Sequence, residues 1–369
     1  MRWLGFTLLA AGCVAAAWWG PAQLWPTTAA PDGVYGRAGD GPSGLALLSA
    51  QAEKGALQAD VPRPASAASP SSPAFPPVTA VAEPFSPEAA EAACTTLLPR
   101  LPGLSRAQCV ATRLQASGTL SRQGAPLYWR DVPTHAGAAA KGQPDAEPLR
   151  VLVVGAMHGD ELTAASLALR WIGMAAAEGA VDAGEPVPVH WRFIPVLNPD
   201  GLLAPKPTRV NAGGVDLNRN FPTPGWAEEA PVYWEKRTRK DPRRWPGHTP
   251  LSEPESRFLH QQMDQFQPQL VVSIHAPYGV LDFDGPHDPP LRLGRLRMDK
   301  LGVFPGSLGH YGGLHRGVPV VTIELEHALR MPPDAEVRAM WRDLRHWMNT
   351  RLLDGADAVA GVKPPGLQR

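Results

Sequence analysis

The chain of 369 residues has no excess of charge of either sign, because 35 lysines and arginines balance 35 aspartates and glutamates. A net charge of zero gives no electrostatic reason to expect binding to nucleic acid or to an anionic membrane surface. The chain also has only three cysteines, no internal repeat and a single long apolar stretch, at residues 3–19. We therefore predict that the rest of the protein is soluble and that nucleic acid is not a partner.

The apolar stretch has the pattern of a targeting segment. Arg2 precedes it, and the next charged residue is Asp32, which is typical of a secretory signal. Its length is also close to the minimum that can span a bilayer, so it can instead be an uncleaved anchor with Arg2 on the cytoplasmic side. Lipidation at Cys13, or a buried helix of the fold, would also explain it. We expect a signal peptide or anchor over residues 1–30, a possible inner-membrane tether through residues 3–19, and a periplasmic or otherwise exported protein.

A composition change separates this segment from the folded part of the chain. Residues 60–87 contain eight prolines with many alanines and serines. Such a composition cannot bury enough apolar surface to fold. We predict a disordered linker over residues 31–85, a folded domain over residues 86–355 and a disordered tail over residues 356–369.

Export places the two cysteines of the folded domain in an oxidising environment, where disulfides persist. Cys94 and Cys109 flank a Pro102-Gly103 turn that would let two short helices fold back on each other. We predict a Cys94–Cys109 disulfide; the alternative is two free, buried cysteines.

Apolar runs typical of buried strands alternate with helical patterns through the folded domain. This alternation predicts an α/β fold, a three-layer α/β/α sandwich around a mixed, largely parallel sheet. Ser252 and Glu255 match a capping box at the start of one helix. The predicted strands cover residues 127–129, 149–156, 189–197, 270–274 and 318–325, and the helices cover residues 162–177, 252–266 and 334–353.

Three residues at the carboxyl ends of predicted strands are candidate metal ligands. His158 and Glu161 follow one strand, and His275 ends another. Ligands of open α/β sheets bind beyond such strand ends, and catalytic zinc takes three protein ligands with one position left for water. Each residue alone is weak support, since a surface turn or a structural histidine explains it equally well.

A dense polar run around GVDLNRNFP at residues 214–222 is not typical of a packing segment. With six further motifs in the same order, it resembles the zinc carboxypeptidase family, and within it the bacterial murein peptide amidases. The resemblance covers roughly residues 115–350 and implies a carboxypeptidase-like fold. The six motifs are HGDE at 158–161, NPDG at 198–201, SEPE at 252–255, SIH at 273–275, GSLG at 306–309 and TIEL at 322–325.

The resemblance implies one zinc ion per chain, bound by His158, Glu161 and His275. Asp216 would then orient His158 through a hydrogen bond. Glu324 would be the general base that takes a proton from water. These assignments come from the matching motifs and not from spacing alone.

The same resemblance implies roles for four more residues. Arg209 would stabilise the oxyanion that forms during hydrolysis. Asn218 and Arg219 would bind the terminal carboxylate of the substrate, for which a guanidinium is suited. Tyr311 is the nearest candidate for the active-site tyrosine of the family.

Export and family resemblance together suggest a substrate in the cell wall. The expected reaction is hydrolysis of the bond between γ-D-glutamate and diaminopimelate in murein peptides, by a monomer. Asp282 and Asp284 are candidates to bind the amine at the far end of diaminopimelate. A general metallocarboxypeptidase, a deacylase of small N-acyl amino acids and a non-catalytic wall-binding module are competing hypotheses. The Trp-rich segment over residues 226–245 is either a solvated loop or a rim that recognises substrate.

Overall fold

The computed structural model describes residues 86–133, 148–178 and 188–352. The predicted signal or anchor, with residues 3–19 and Cys13, lies outside the described residues, as do the predicted linker over 31–85 and the tail over 356–369. Within the described ranges, no helix is both long and apolar enough to cross a membrane.

Nine strands and seven α-helices make up the described fold. The strands are β1 (Gln115–Leu120), β2 (Pro126–Val132), β3 (Leu149–Val154), β4 (Val189–Ile194), β5 (Leu270–His275), β6 (Val280–Asp284), β7 (Arg292–Leu293), β8 (Leu296–Arg297) and β9 (Val320–Glu324). The helices are α1 (Pro87–Leu97), α2 (Arg106–Ala111), α3 (Leu162–Glu178), α4 (Pro199–Leu203), α5 (Trp226–Val232), α6 (Pro254–Phe266) and α7 (Asp334–Trp347). Short π-helical turns follow α5 and α7 and precede β9, at Tyr233–Arg237, Met348–Leu352 and Gly309–His315.

Seven strands form one sheet in the order β1-β2-β4-β3-β5-β9-β6. Its centre, from β4 to β9, is parallel, and the outer strands pair antiparallel. The prediction of a mixed, largely parallel sheet is confirmed, because the central strands are parallel and the outer strands are antiparallel.

The two faces of the sheet bury separate apolar layers. Side chains alternate between faces along a strand, so Val151 and Val153 pack with Trp171 of α3, whereas Leu152 and Val154 pack with Phe258 of α6. A strand covered on both faces must be apolar at every position, which explains the continuous apolar run of β3. The predicted three-layer sandwich is therefore confirmed.

A disulfide joins Cys94 of α1 to Cys109 of α2, as predicted. The Pro102-Gly103 turn reverses the chain between them, and Gly103 has a φ of 65°, which a glycine adopts without steric cost. Both cysteines are fully buried.

The predicted capping box at Ser252 and Glu255 is wrong. Helix α6 begins at Pro254, and Glu253 occupies the N-cap position. Proline favours the first helical position because its fixed φ suits the helix and its missing N–H is not needed there. The Ser252 hydroxyl instead donates to the Glu253 carboxylate at 2.8 Å and accepts from Asn220 at 3.1 Å.

Candidate active site

The candidate metal ligands lie at the carboxyl ends of adjacent parallel strands. His158 and Glu161 occupy the turn from β3 into α3, and His275 is the last residue of the neighbouring strand β5. Glu324 ends β9, where it pairs in register with His275. The topology thus collects these four side chains at one edge of the sheet.

The three candidate ligands place one atom each around a common point. His158 Nδ1 is 2.8 Å from Glu161 Oε1, and His275 Nδ1 is 3.0 Å from Glu161 Oε2. The two Nδ1 atoms are 3.2 Å apart. These separations suit neighbouring ligands of one ion with bonds of about 2 Å. All three side chains are buried, and together they could hold a metal ion.

The neighbours of the two imidazoles favour a cation between them. Asp216 Oδ1 is 3.0 Å from His158 Nε2, and Ser273 Oγ is 2.9 Å from His275 Nε2. A carboxylate only accepts hydrogen bonds, so in the neutral form of His158 Asp216 keeps the proton on Nε2, and Nδ1 then carries a lone pair. The Ser273 hydroxyl can do the same for His275. Two lone pairs and the Glu161 carboxylate then face one another, a donor set that fits a catalytic zinc site.

Neighbouring charges keep the carboxylates of Glu161 and Asp216 ionised. Burial raises the pKa of Glu161, but the adjacent His158 and His275 outweigh burial and lower it below its usual range. Burial likewise opposes ionisation of Asp216, yet the Arg209 guanidinium and His158 hold its pKa well below the usual value. Both carboxylates are therefore ionised at neutral pH.

Arg209 lies beside the candidate ligands. Its Nε and Nη2 donate to Asp216 Oδ2 at 3.1 and 3.0 Å, and its Nη1 is 3.1 Å from His158 Nδ1. Asp216 thus positions both an imidazole and a guanidinium. A guanidinium fixed at this place can stabilise negative charge that develops beside the metal position.

Glu324 is buried with one carboxylate oxygen, Oε2, that has no hydrogen-bond partner among the described residues. Burial, with a contribution from the Glu161 charge, raises the pKa of Glu324 to about 8. A carboxyl group with a pKa near neutrality can both accept and return a proton during one reaction cycle.

A cavity of about 180 Å³ opens in front of these residues. Asn218 and Arg219 line it, and the Arg219 side chain is only 5% exposed. Its Nη1 donates to the Asn218 carbonyl at 2.6 Å, its guanidinium lies 4.4 Å from the centre of the Phe304 ring, and its Nε has no partner in the described structure. Burial lowers the pKa of Arg219 to about 10, so it remains a cation at neutral pH.

Tyr311 does not line this cavity, which contradicts its prediction as a substrate-binding residue. Its ring is 2% exposed and stacks on Phe221 in the layer under α6. Its hydroxyl hydrogen-bonds to His260 Nδ1 and accepts from Arg316. Tyr278 lines the cavity instead and is 60% exposed. Its place three residues after His275 is the signal that could have identified it.

The Trp-rich segment over residues 226–245 contacts the site from the outside. The Trp226 indole donates to the Arg219 carbonyl at 2.8 Å, and the Trp245 carbonyl accepts from the Asp216 N–H at 2.8 Å. Arg244 of this segment lines the cavity, a position that nothing in the sequence singled out. The segment therefore forms part of the rim.

Comparisons with known proteins agree with this architecture. The model of the zinc carboxypeptidase family matches residues 108–284. Murein peptide amidase A of Escherichia coli K12 is 34% identical over 164 residues, which cover 43% of this chain and 57%, or just over half, of that relative. Murein peptide amidase A of Vibrio campbellii is 32% identical over 193 residues, 48% of this chain and 69% of that relative.

A solved structure supports the fold alone. Carboxypeptidase A from Helicoverpa armigera superimposes with a TM-score of 0.50 at 15% identity, covering 74% of this chain and 81% of that enzyme. At that identity the likeness extends to the arrangement of strands and helices and not to the substrate.

Proposed function

The chain belongs to the zinc carboxypeptidase family, and on that premise we propose that it is a zinc-dependent hydrolase that cleaves a peptide or amide bond close to a free carboxylate. The observation that carries the proposal is the convergence of His158, Glu161 and His275 beside Glu324 in one cavity. The Nδ1 atoms of His158 and His275 lie 2.8 and 3.0 Å from the two oxygens of the buried Glu161 carboxylate, so three side chains that can bind a metal converge on one point.

The residues of the chain divide the chemistry between them. The two histidines and Glu161 would hold a zinc ion, which when bound would supply polarisation of the scissile carbonyl and activation of water. Glu324 takes a proton from the attacking water and passes it to the leaving nitrogen. Arg209 stabilises the negative charge that develops on the carbonyl oxygen. Asp216 keeps the imidazole of His158 and the guanidinium of Arg209 in place.

Arg219 supports the assignment of a substrate carboxylate. It is a buried cation that lines the cavity, so its guanidinium can donate to an incoming anion. Asn218 is held beside it, since its side-chain oxygen accepts from the Leu308 N–H at 2.8 Å. This pair would bind the carboxylate next to the scissile bond.

We further propose murein peptides as the substrate, with cleavage between γ-D-glutamate and diaminopimelate. The support is the similarity to two proteins named murein peptide amidase A. A periplasmic or otherwise exported location, with a possible anchor over residues 3–19, belongs to the same proposal.

The direct test is incubation of the zinc-loaded full chain with murein tripeptide. We expect release of free diaminopimelate, loss of release after treatment with a chelator, and recovery with added zinc. Glu324→Gln should lower kcat by about 10²- to 10⁴-fold, because it removes the proton acceptor. An exposed substitution, Asp299→Asn, serves as the matched control and should leave kcat unchanged.

Three outcomes would contradict parts of this proposal. Release of amino acids from generic peptides, with murein tripeptide intact, would indicate a general carboxypeptidase. Wall binding without hydrolysis, unchanged by Glu324→Gln, would indicate a binding module. Activity that survives chelation would exclude zinc dependence.

A further inference from the structure

Two sequence motifs of the folded domain contain no residue that the proposed mechanism uses. They are NPDG at residues 198–201 and SEPE at residues 252–255, which lie at the N-termini of α4 and α6. Each motif nevertheless forms hydrogen bonds to the loop over residues 208–215, here called the Arg209 loop. This loop carries Arg209 near its start and leads directly into Asp216. Both motifs therefore contact the segment that joins these two charged residues.

The start of the Arg209 loop is fixed to the NPDG motif. Asn198 Nδ2 donates to the Arg209 carbonyl at 3.1 Å, and the Thr208 N–H donates to the Gly201 carbonyl at 3.0 Å. A Cβ at Gly201 would lie 2.7 and 2.8 Å from the carbonyl oxygens of Thr208 and Val210. The missing side chain of Gly201 thus lets the loop backbone pack directly against α4.

The end of the Arg209 loop is closed by Asn211, whose side chain makes every hydrogen bond available to it. Its Oδ1 accepts from the N–H groups of Gly213 and Val215 at 2.9 and 3.1 Å. Its Nδ2 donates to Glu253 Oε2 at 2.7 Å and to Glu255 Oε2 at 3.0 Å. A primary amide accepts two hydrogen bonds and donates two. Aspartate has the same shape, but it has no hydrogen to donate and would add a third negative charge beside the two glutamates.

The two carboxylates that bind Asn211 are themselves fixed by the turn between β1 and β2. Glu253 is 3% exposed and Glu255 is fully buried. Glu255 Oε1 accepts from the Arg122 N–H at 3.1 Å, and Glu253 Oε2 accepts from Arg122 Nη1 at 3.0 Å. A buried polar network in which every group is satisfied is rigid, since movement of any member breaks bonds. This network therefore fixes the position of Asn211.

The two fixed ends of the loop determine where the Arg209 guanidinium lies. Asp216 follows the loop, and its carboxylate accepts from Arg209 Nε and Nη2. Arg209 Nη1 is then 3.1 Å from His158 Nδ1 and 3.7 Å from Glu161 Oε1. A hydrogen-bond donor stabilises developing charge when it is already in place, and a displacement of about 1 Å can lower a rate by about 100-fold.

We propose that Asn211, bound by Glu253 and Glu255, is a positioning residue that places Arg209 to stabilise negative charge on the carbonyl oxygen. The inference rests on the proposed function, because it assigns how the charge-stabilising group of that reaction is held. Asn211 does not line the cavity, so it acts through Arg209 and not on the substrate. Its loss should lower kcat more than it changes KM, since the charge develops in the transition state.

A double-mutant cycle tests whether Asn211 acts through Arg209. In the zinc-loaded full chain with murein tripeptide, Arg209→Ala should lower kcat by about 10²- to 10³-fold. Asn211→Ala should lower kcat by about 10- to 100-fold with little change in KM. In the Arg209→Ala background, Asn211→Ala should change kcat by less than about 2-fold, because the group that it positions is gone. A general loss of fold would lower kcat by the same factor in both backgrounds.

A milder variant, Glu255→Gln, repeats the test if Asn211→Ala folds poorly. Its single amide oxygen cannot accept from both the Arg122 N–H and Asn211 Nδ2, so one of these two bonds is lost. We expect kcat to fall by about 3- to 10-fold when Arg209 is present. In the Arg209→Ala background, Glu255→Gln should again have almost no effect.

Gln262→Ala is the matched control for loss of a buried amide. Gln262 lies on α6, is 1% exposed, accepts from Arg192 of β4 at 2.9 Å and does not line the cavity. Its substitution should lower the melting temperature, as Asn211→Ala does, but leave kcat unchanged.

Nuclear magnetic resonance of the arginine side chains tests the placement without hydrolysis. The Arg209 Nε–H donates to Asp216 Oδ2 at 3.1 Å, so its proton should exchange slowly with solvent in the wild type. The signal that is missing in Arg209→Ala identifies it. In Asn211→Ala this exchange should be about 10-fold faster or more, because the hydrogen bond opens more often. In Gln262→Ala it should be unchanged.

Unchanged kcat in Asn211→Ala, an equal loss of kcat in both backgrounds, or unchanged exchange of the Arg209 signal in folded Asn211→Ala, would overturn the inference. If the wild type does not hydrolyse murein tripeptide, the proposed substrate is wrong, and the exchange rate of the Arg209 signal decides whether Asn211 positions the guanidinium. The two claims therefore fail through different measurements.

Discussion

At the metal end of the cavity, Asp216 accepts hydrogen bonds from both Arg209 and His158, whereas at the β6 end Asp282 and Asp284 have no ion-pair partner in the described chain. The first end is a network in which each charge is compensated by a neighbour. The second leaves its charges to be compensated by something else. Side chains that must keep a fixed position are paired with other side chains of the protein. Side chains that recognise a ligand stay unpaired until the ligand binds.

The strongest test of the metal end is Asp216→Asn. One amide oxygen cannot replace a carboxylate that accepts from His158 on one side and from Arg209 on the other. We expect kcat/KM to fall by about 100-fold and zinc affinity to fall by about 10- to 100-fold. Kinetics on a cleaved peptide, with zinc competition against a chelator of known affinity, would measure both. Unchanged zinc affinity would mean that Asp216 does not orient His158.

The proposed contact with the substrate carboxylate is tested by Arg219→Lys, which keeps the charge but removes the planar fork. We expect KM to rise by roughly 30-fold with a smaller change in kcat, because the ground-state carboxylate contact is lost. Arg243→Lys is a matched control, since Arg243 pairs with Asp160 on the surface and does not line the cavity. A fall in kcat at constant KM would indicate that Arg219 acts on the transition state instead.

The central sheet and the candidate metal ligands could be predicted from the sequence more fully than the rest of the site. The alternation of apolar runs and helices predicted the central sheet, since a strand buried on both faces leaves a local signature. His158, Glu161 and His275 were identifiable because they adjoin such strands within short motifs. Their joint geometry depended on strand order, which no local pattern contains.

The burial of Tyr311 and the approach of Arg244 to the cavity depend on contacts between distant segments of the chain. Tyr311 is near the expected position in the chain, but stacking on Phe221 buries it away from the cavity. Arg244 reaches the cavity because the Trp-rich segment is fixed to the site through Trp226 and Trp245. The α6 capping box failed because Pro254 competed with Ser252 for the helix start. Sequence patterns report local preference, whereas tertiary contacts decide the positions of Tyr311 and Arg244.

Ligand binding at the acidic end, formed by Asp282 and Asp284, should depend on pH in a range where Glu161 and Asp216 remain ionised. Burial, with the charge of Asp282, raises the pKa of Asp284 to about 6. Asp284 is therefore ionised at pH 7.5 and mostly neutral at pH 5, whereas a ligand amine stays protonated throughout. We expect affinity for lysine to fall by about 10-fold over this range. Asp284→Asn should flatten this dependence, and an equally steep profile in that variant would assign the titration to another group.

The smallest expected effect is on stability. The pKa of Asp284 rises from 3.8 to about 6 on folding, so ionisation opposes the folded state. The cost is absent below the unfolded pKa and is complete above the folded one. Asp284→Asn should therefore stabilise the free protein at pH 7.5 by about 1 kcal/mol, discounted from the full shift because the side chain is partly exposed. At pH 4.5 the gain should be smaller.

Urea unfolding of the wild type, Asp284→Asn and the exposed control Asp299→Asn, each at pH 7.5 and 4.5, would measure this difference. Stabilisation at pH 7.5 by Asp284→Asn but not by the control would show that the acidic end is strained by its own charge until a ligand arrives. Destabilisation by Asp284→Asn would instead mean that the carboxylate holds the fold together. In that case the contrast between the two ends of the cavity would disappear, since Asp284 would then be compensated by the protein just as Asp216 is.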